Sequence, residues 1–241
     1  MKNCIILIPI YKETLSSEEL FSVENSLNKL KGCKINFIAP KSLNCTFYEK
    51  ISGVEEFKRF DDEYFLGIKG YNRLLLSKSF YEEFIKYEFL LILQTDAIIL
   101  KNDLAYWCCQ PYDYIGAPWP SPFEIIVSTG CFEGKYAKHV RASVGNGGLS
   151  LRRIRKCIDL LEEFPIEREI FTTTGSNEDL FFSIMGMLST DFLLPNEIVA
   201  SKFSMECNPE IFYKINGNRM PMGVHAWSKY NLEFWSDVIK Y

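Results

Sequence analysis

The 241-residue chain has two histidines, no Cys-x-x-Cys pair and no apolar run of membrane-spanning length. Each shortage removes a class of protein. Without about 20 consecutive apolar residues there is no candidate transmembrane helix, and no lipidation box is present. Eight cysteines, at 4, 33, 45, 108, 109, 131, 157 and 207, lack the spacing of a zinc knuckle. Free, mostly buried thiols in a reducing cytosol are expected instead. A net charge of -4 provides no basic field for nucleic acid. Lys and Arg gather only thinly, at Lys135 to Arg141 and Arg152 to Lys156, and the second group reads as the polar face of a helix. Glycine fingerprints for nucleotides are also missing: Gly145-x-Gly147 is followed by Ser150 where a third glycine is required, and no Gly-Lys-Ser/Thr occurs.

What is present is ordinary for a soluble enzyme, with 47% hydrophobic and 24% charged residues and a high aromatic share of 15%. No repeat, low-complexity tract or linker divides the chain, so one domain over 1–241 is expected. Cys4 to Ile10 is a continuous apolar run, as for a strand buried on both faces of a parallel sheet, and it reads as a first core strand, not a signal peptide. Ser16 and Glu19 form a capping box. Leu20, Val23, Leu27 and Leu30 then follow at helical spacing, and Gly32 stops the helix. A second strand runs from Lys34 to Ala39. Strand, helix and strand make one Rossmann-like unit.

Further on, Tyr71 to Tyr87 reads as one or two helices, Phe89 to Gln94 as a strand, Asn102 to Trp107 as a short helix and Tyr112 to Gly116 as a short strand. Ser121 to Ser143 shows no clear element and reads as a long loop, of the kind that forms lids. Ile154, Cys157, Ile158, Leu161 and Phe164 mark an amphipathic helix. Thr172 to Ser176 is a polar loop, Asn177-Glu178-Asp179 opens another helix, and the C-terminal stretch is irregular and aromatic.

Four places carry candidate chemistry. Asp96 lies between the apolar runs ending at Leu93 and beginning at Ala97, where a carboxylate is costly unless paired. A metal ion, a backbone nest, a ligand hydroxyl, or a plain turn would each account for it. Gly145-Asn146-Gly147-Gly148 is either a tight hairpin turn or backbone kept bare so that a sugar or diphosphate approaches closely. Glu178 and Asp179 suit the first turn of a helix capped by Ser176, and the same geometry would hold a base at a cleft rim. His225 is either a packed histidine or a metal ligand. Trp119, Trp227 and Trp235 read mainly as core, with one or two available to stack on a sugar or base.

In order along the chain, Gln94-Thr95-Asp96, the glycine cluster, Asn177-Glu178-Asp179 and His225 resemble the motifs of GT-A glycosyltransferases. Tyr71-Asn72-Arg73-Leu74, Asp113 to Trp119 and His225-Ala226-Trp227 more closely resemble an uncharacterised bacterial group of predicted sugar transferases, DUF5672. The resemblance implies a single GT-A (Rossmann-like) α/β domain whose central, mostly parallel mixed sheet is flanked by helices. About 1–120 would be its nucleotide-binding half and about 121–241 its acceptor and catalytic half. It implies transfer of a sugar from a nucleoside-diphosphate donor, UDP favoured, to a glycan or lipid-linked acceptor in surface polysaccharide synthesis. The setting implied is the cytoplasm or the inner face of the membrane. Asp179 would be the base and Glu178 its helper. Tyr11, Arg73, Gln94, Thr95, Asp96, Gly147 and Gly148 would contact the donor, and Asn177, Trp119 and Trp227 the acceptor. Asp96 and His225 would hold Mn2+ or Mg2+. Gln94 departs from the family's first Asp and brings no charge. That departure leaves a non-catalytic nucleotide-sugar or glycan binder as the alternative. A nucleotidyltransferase is disfavoured because Ile10-Tyr11-Lys12-Glu13 offers no glycine loop, and nothing selects the carboxylate pair of a glycosidase.

Overall fold

The computed structural model describes residues 3–52, 57–128 and 137–241. The chain starts with β1 (Cys4–Pro9), α1 (Ser17–Lys29), β2 (Lys34–Pro40), α2 (Thr46–Ser52) and β3 (Phe57–Phe60). After one 3-10 turn come α3 (Gly67–Leu75), α4 (Lys78–Glu82) and β4 (Phe89–Leu93). β1 pairs in parallel with both β2 and β4, and β2 with β3. The apolar runs read from the sequence are thus the middle of the sheet. Their alternate residues feed two cores: Ile5, Leu7, Leu90 and Ile92 enter one, and Ile6, Ile8, Leu91 and Leu93 the other. A strand covered on both faces has no polar alternation, because neither face meets water.

β5 (Ala97–Ile99) and α5 (Leu104–Cys108) lead to a long ribbon of β6 (Tyr114–Ser128) and β7 (Ala137–Arg153). β7 pairs antiparallel with β4, completing a six-stranded sheet of order β3-β2-β1-β4-β7-β6. The ribbon replaces the long loop expected over Ser121 to Ser143. Residues 129–136, including Cys131, lie outside those described. The expectation failed because Pro118, Pro120 and Pro122 argue against a strand interior. The fold accommodates them at an edge strand where the β6–β7 register shifts between Pro118 and Phe123.

α6 (Ile154–Glu163) packs on the sheet through Cys157, Ile158 and Leu161. α7 (Pro165–Thr174) continues helix through the stretch read as a polar loop and ends at Gly175 in the left-handed region. α8 (Glu178–Leu188) begins where the sequence placed it, but Asn177, not Ser176, is its N-cap, and that side chain makes no capping bond. The C-terminal stretch is regular after all: α9 (Glu197–Phe203), β8 (Ser204–Met205), α10 (Pro209–Ile215), β9 (Gly223–His225) and α11 (Leu232–Ser236). β5, β9 and β8 form a second, three-stranded sheet with β9 in the middle. The cysteines among the described residues are all free. No helix among the described residues is long and apolar enough to cross a membrane.

Candidate active site

A cleft of about 870 Å³ opens at the C-terminal ends of β1 and β4, where open α/β sheets bind ligands. Three chain segments build its charged floor. Asp96 precedes β5, His225 ends β9, and Glu206 follows β8; the pairings Ala97↔His225 and Met205↔Val224 set the three side by side. The chain then turns at Ala226, whose φ is 49°, and its N–H donates to the Asp96 carbonyl at 3.0 Å. Left-handed backbone on alanine is uncommon and gathers at functional sites.

The His225 ring is surrounded by oxygens. Nε2 lies 3.1 Å from Gln94 Oε1 and 3.2 Å from Asp96 Oδ1. Nδ1 lies 3.2 Å from Asn146 Oδ1 and 3.3 Å from Glu206 Oε1. Burial disfavours a charged ring, but the bonds and charges of Asp96 and Glu206 prevail and raise its pKa to about 9. Burial also pushes the Asp96 carboxyl up. The His225 and Lys229 cations outweigh that and hold it well below the usual range, with Lys229 Nζ 2.9 Å from Oδ2. Asp96 is therefore both the turn residue between β4 and β5 and the paired carboxylate, so the two readings of it were compatible.

Among the described residues no three His, Cys, Asp or Glu side chains gather as a metal cluster. The donors that do meet are one imidazole, one carboxylate and the Gln94 amide oxygen. Adjacent ligands of an octahedral ion with bonds of about 2.1 Å lie about 3.0 Å apart, close to the separations at Nε2. The distances from Nε2 to the Gln94 and Asp96 oxygens thus match those between neighbouring ligands of a divalent cation.

Glycines make the floor possible. Gln94 N–H donates to the Gly148 carbonyl across the β4–β7 ladder at 2.9 Å, and a Cβ on Gly148 would collide with the His225 ring. A Cβ on Gly147 would stand 2.7 Å from Glu178 Oε1. The cluster is therefore no hairpin turn: it lies inside β7, bare so that side chains can cross it. Gly148→Ala is expected to cost about 1–3 kcal/mol as an overpacked site, because four oxygens fix the ring it would displace. Urea denaturation would measure this, and a loss under about 0.5 kcal/mol would show that the ring moves freely.

The opposite wall is the start of α8. Asp179 takes N–H bonds from Gly147 (3.1 Å) and Leu180 (2.7 Å), yet burial and the neighbouring Glu178 charge raise its pKa to about 7. Glu178 itself is gripped by Arg152 through two bonds of 2.9 Å. Arg152 is fully buried on β7, bonded to the Tyr81 hydroxyl, with its guanidinium carbon 4.9 Å from the Tyr114 ring centroid and 5.4 Å from that of Phe182. This corrects the reading of Arg152 as a surface helix residue. It also makes Glu178 a locked neighbour of Asp179.

Of the other residues named from the sequence, Tyr11, Thr95, Gly147, Gly148 and Asn177 line the cleft. Arg73 and Trp119 are not among the lining residues. Arg73 turns outward to Glu63 at 3.3 Å, while its neighbours Tyr71 and Asn72 line the cleft. Trp119 packs against Phe123 and beneath Gly145. Trp227 lines the cleft with a largely buried ring, its Nε1 donating to Ser22 Oγ at 2.8 Å. Arg73 and Trp119 sit near motifs, but helix phase and packing point them elsewhere. Sequence reasoning missed Lys12, Glu19, Glu206 and Lys229. Glu19 completes the α1 capping box and also receives Lys12 Nζ (2.8 Å) and the Thr95 hydroxyl (3.0 Å). The capping motif drew attention to only the first of these roles.

A cleft at the sheet's carboxyl edge, with an acid–histidine–acid row on one wall and a carboxylate at a helix start on the other, belongs to a GT-A-type fold. Solved glycosyltransferases share it: the galactosyltransferase LgtC in complex with donor and acceptor sugar analogs (TM-score 0.57, 12% identity, 97% of this chain and 94% of that one); mouse xyloside xylosyltransferase 1 (0.55, 10%, 91% and 96%); and the glycosyltransferase GlyE of Streptococcus pneumoniae TIGR4 (0.50, 12%, 99% and 60%). At such identities the likeness establishes the fold alone. The chain belongs to the DUF5672 family, described as a protein of unknown function, whose model matches residues 55–225. No curated protein matches it in sequence.

Proposed function

We propose that the protein is a glycosyltransferase that moves a sugar from a nucleoside-diphosphate donor, UDP-linked, to a hydroxyl of a glycan or lipid-linked acceptor. The carrying observation is the pairing of opposite walls in one cleft: a carboxylate with a pKa of about 7 at Asp179 facing a floor where Lys229 and His225 already meet Asp96. The donor lies across the ends of β1 and β4, with Tyr11 and Thr95 on its nucleotide side. Lys229 and Lys12 attract the diphosphate. Asp179 accepts the acceptor hydroxyl's proton as that oxygen attacks the anomeric carbon from the side opposite the leaving group, so the centre inverts. Glu178, neutralised by Arg152, orients Asp179 and takes no proton. Mn2+ or Mg2+ held by Asp96, His225 and the Gln94 oxygen would supply further charge for the leaving diphosphate. The products suit surface polysaccharide assembly at the inner face of a membrane.

A thermal-shift panel of nucleotides and nucleotide sugars, with Mn2+ and with EDTA, tests the reading. A ligand at about 100 times its dissociation constant stabilises the fold by about 2.7 kcal/mol, so UDP or a UDP-sugar should raise the melting temperature by several degrees. No shift with any nucleotide would overturn it. Binding without transfer to any acceptor would leave the non-catalytic binder, and a product of retained configuration would remove the single displacement.

A further inference from the structure

Glu206 is the least explained acid in the cleft. It is 6% exposed, and its Oε2 is buried with no hydrogen-bond partner in the structure. A carboxylate so placed is costly and calls for a role. Its Oε1 lies 3.3 Å from His225 Nδ1, on the ring edge away from Asp96 and Gln94. The other acceptor at Nδ1, Asn146 Oδ1, also receives the Gly148 N–H at 3.3 Å. The register of β8 on β9 holds Glu206 beside His225, with Met205 opposite Val224.

We propose that Glu206 is a positioning residue. It keeps the His225 proton on Nδ1 and fixes the ring plane, so that the Nε2 lone pair is presented to a divalent cation shared with Asp96 and Gln94. Metal-bound imidazoles commonly donate their second N–H to a carboxylate, which fixes tautomer and orientation and raises ligand basicity. Here the carboxylate comes from the residue that follows β8 of the second sheet. The inference rests on the reading of Asp96 and His225 as metal ligands.

The test is Mn2+ binding by electron paramagnetic resonance on the full chain, without nucleotide or acceptor, well below the melting temperature of each variant. His225→Ala separates the two claims, since it should abolish the bound Mn2+ signal. Glu206→Leu should weaken Mn2+ binding about 10–100-fold, and Glu206→Gln, which keeps an acceptor oxygen, should recover most of it. A purely structural Glu206 would lower the melting temperature in EDTA and leave the dissociation constant unchanged. That result, with His225→Ala still losing Mn2+, overturns the role of Glu206 alone. Undiminished binding by His225→Ala, or none by the wild-type chain, overturns the metal reading and this inference with it. Should Glu206→Leu fail to fold, Glu206→Met, which likewise removes the acceptor, decides: unchanged Mn2+ affinity in that folded variant refutes the role.

Discussion

Asp179→Asn is expected to lower kcat by about 10²–10⁴-fold, the contribution typical of a general base, with nucleotide binding unchanged. The asparagine nearly conserves volume, but its single amide oxygen can accept only one of the two N–H bonds that Gly147 and Leu180 now donate to separate carboxylate oxygens. The melting temperature is therefore measured beside the rate, to separate lost proton transfer from lost structure. The pH profile gives a second readout. Burial and then the Glu178 charge place the Asp179 pKa at about 7. The ionised form is the base, so kcat/KM should climb about tenfold per pH unit below 7 and level off above it. A variant with near-normal rates in a folded protein would remove Asp179 from the mechanism.

The second large effect concerns stability. Arg152→Met should cost about 3–5 kcal/mol, the usual result of breaking a buried ion pair by removing one partner. The guanidinium is wholly enclosed and meets Glu178, Tyr81 and Ser150, so its loss strands a carboxylate under the cleft. Replacing both partners, as Arg152→Met with Glu178→Leu, should be milder than the single change, because no unpaired charge remains. Urea denaturation of both variants measures this. If the double variant is the less stable, the pair contributes net stability beyond avoiding an orphaned charge.

The sheet core was legible because its strands are buried on both faces: Ile5 to Ile8 and Leu90 to Leu93 are apolar without interruption. The start of α1 was legible from the reciprocal Ser16–Glu19 bonds. The ribbon was not, although His139 to Val144 alternate, with Val140, Ala142 and Val144 buried. Six residues of alternation are a weak signal beside three prolines. β8 and β9 have two and three residues, too few for any period. The site divides in the same way. Asp96, Asp179 and His225 stand in motifs and could be named. Glu206 and Lys229 acquire meaning only once β5, β9 and β8 are in register, and the phase that turns Arg73 outward and Tyr71 inward is set by how α3 packs.

That second sheet also governs when a site can exist. Its strands come from residues 97–99, 204–205 and 223–225, so the central strand is the last of the three to leave the ribosome. Until it docks between the others, Asp96 lacks its imidazole partner, its backbone carbonyl lacks the Ala226 N–H, and Glu206 has nothing to hold. A nascent chain can complete β1 to β7 while its cleft is still unassembled. Competence to bind a charged ligand is thus acquired in a late step, separable in time from formation of the main sheet.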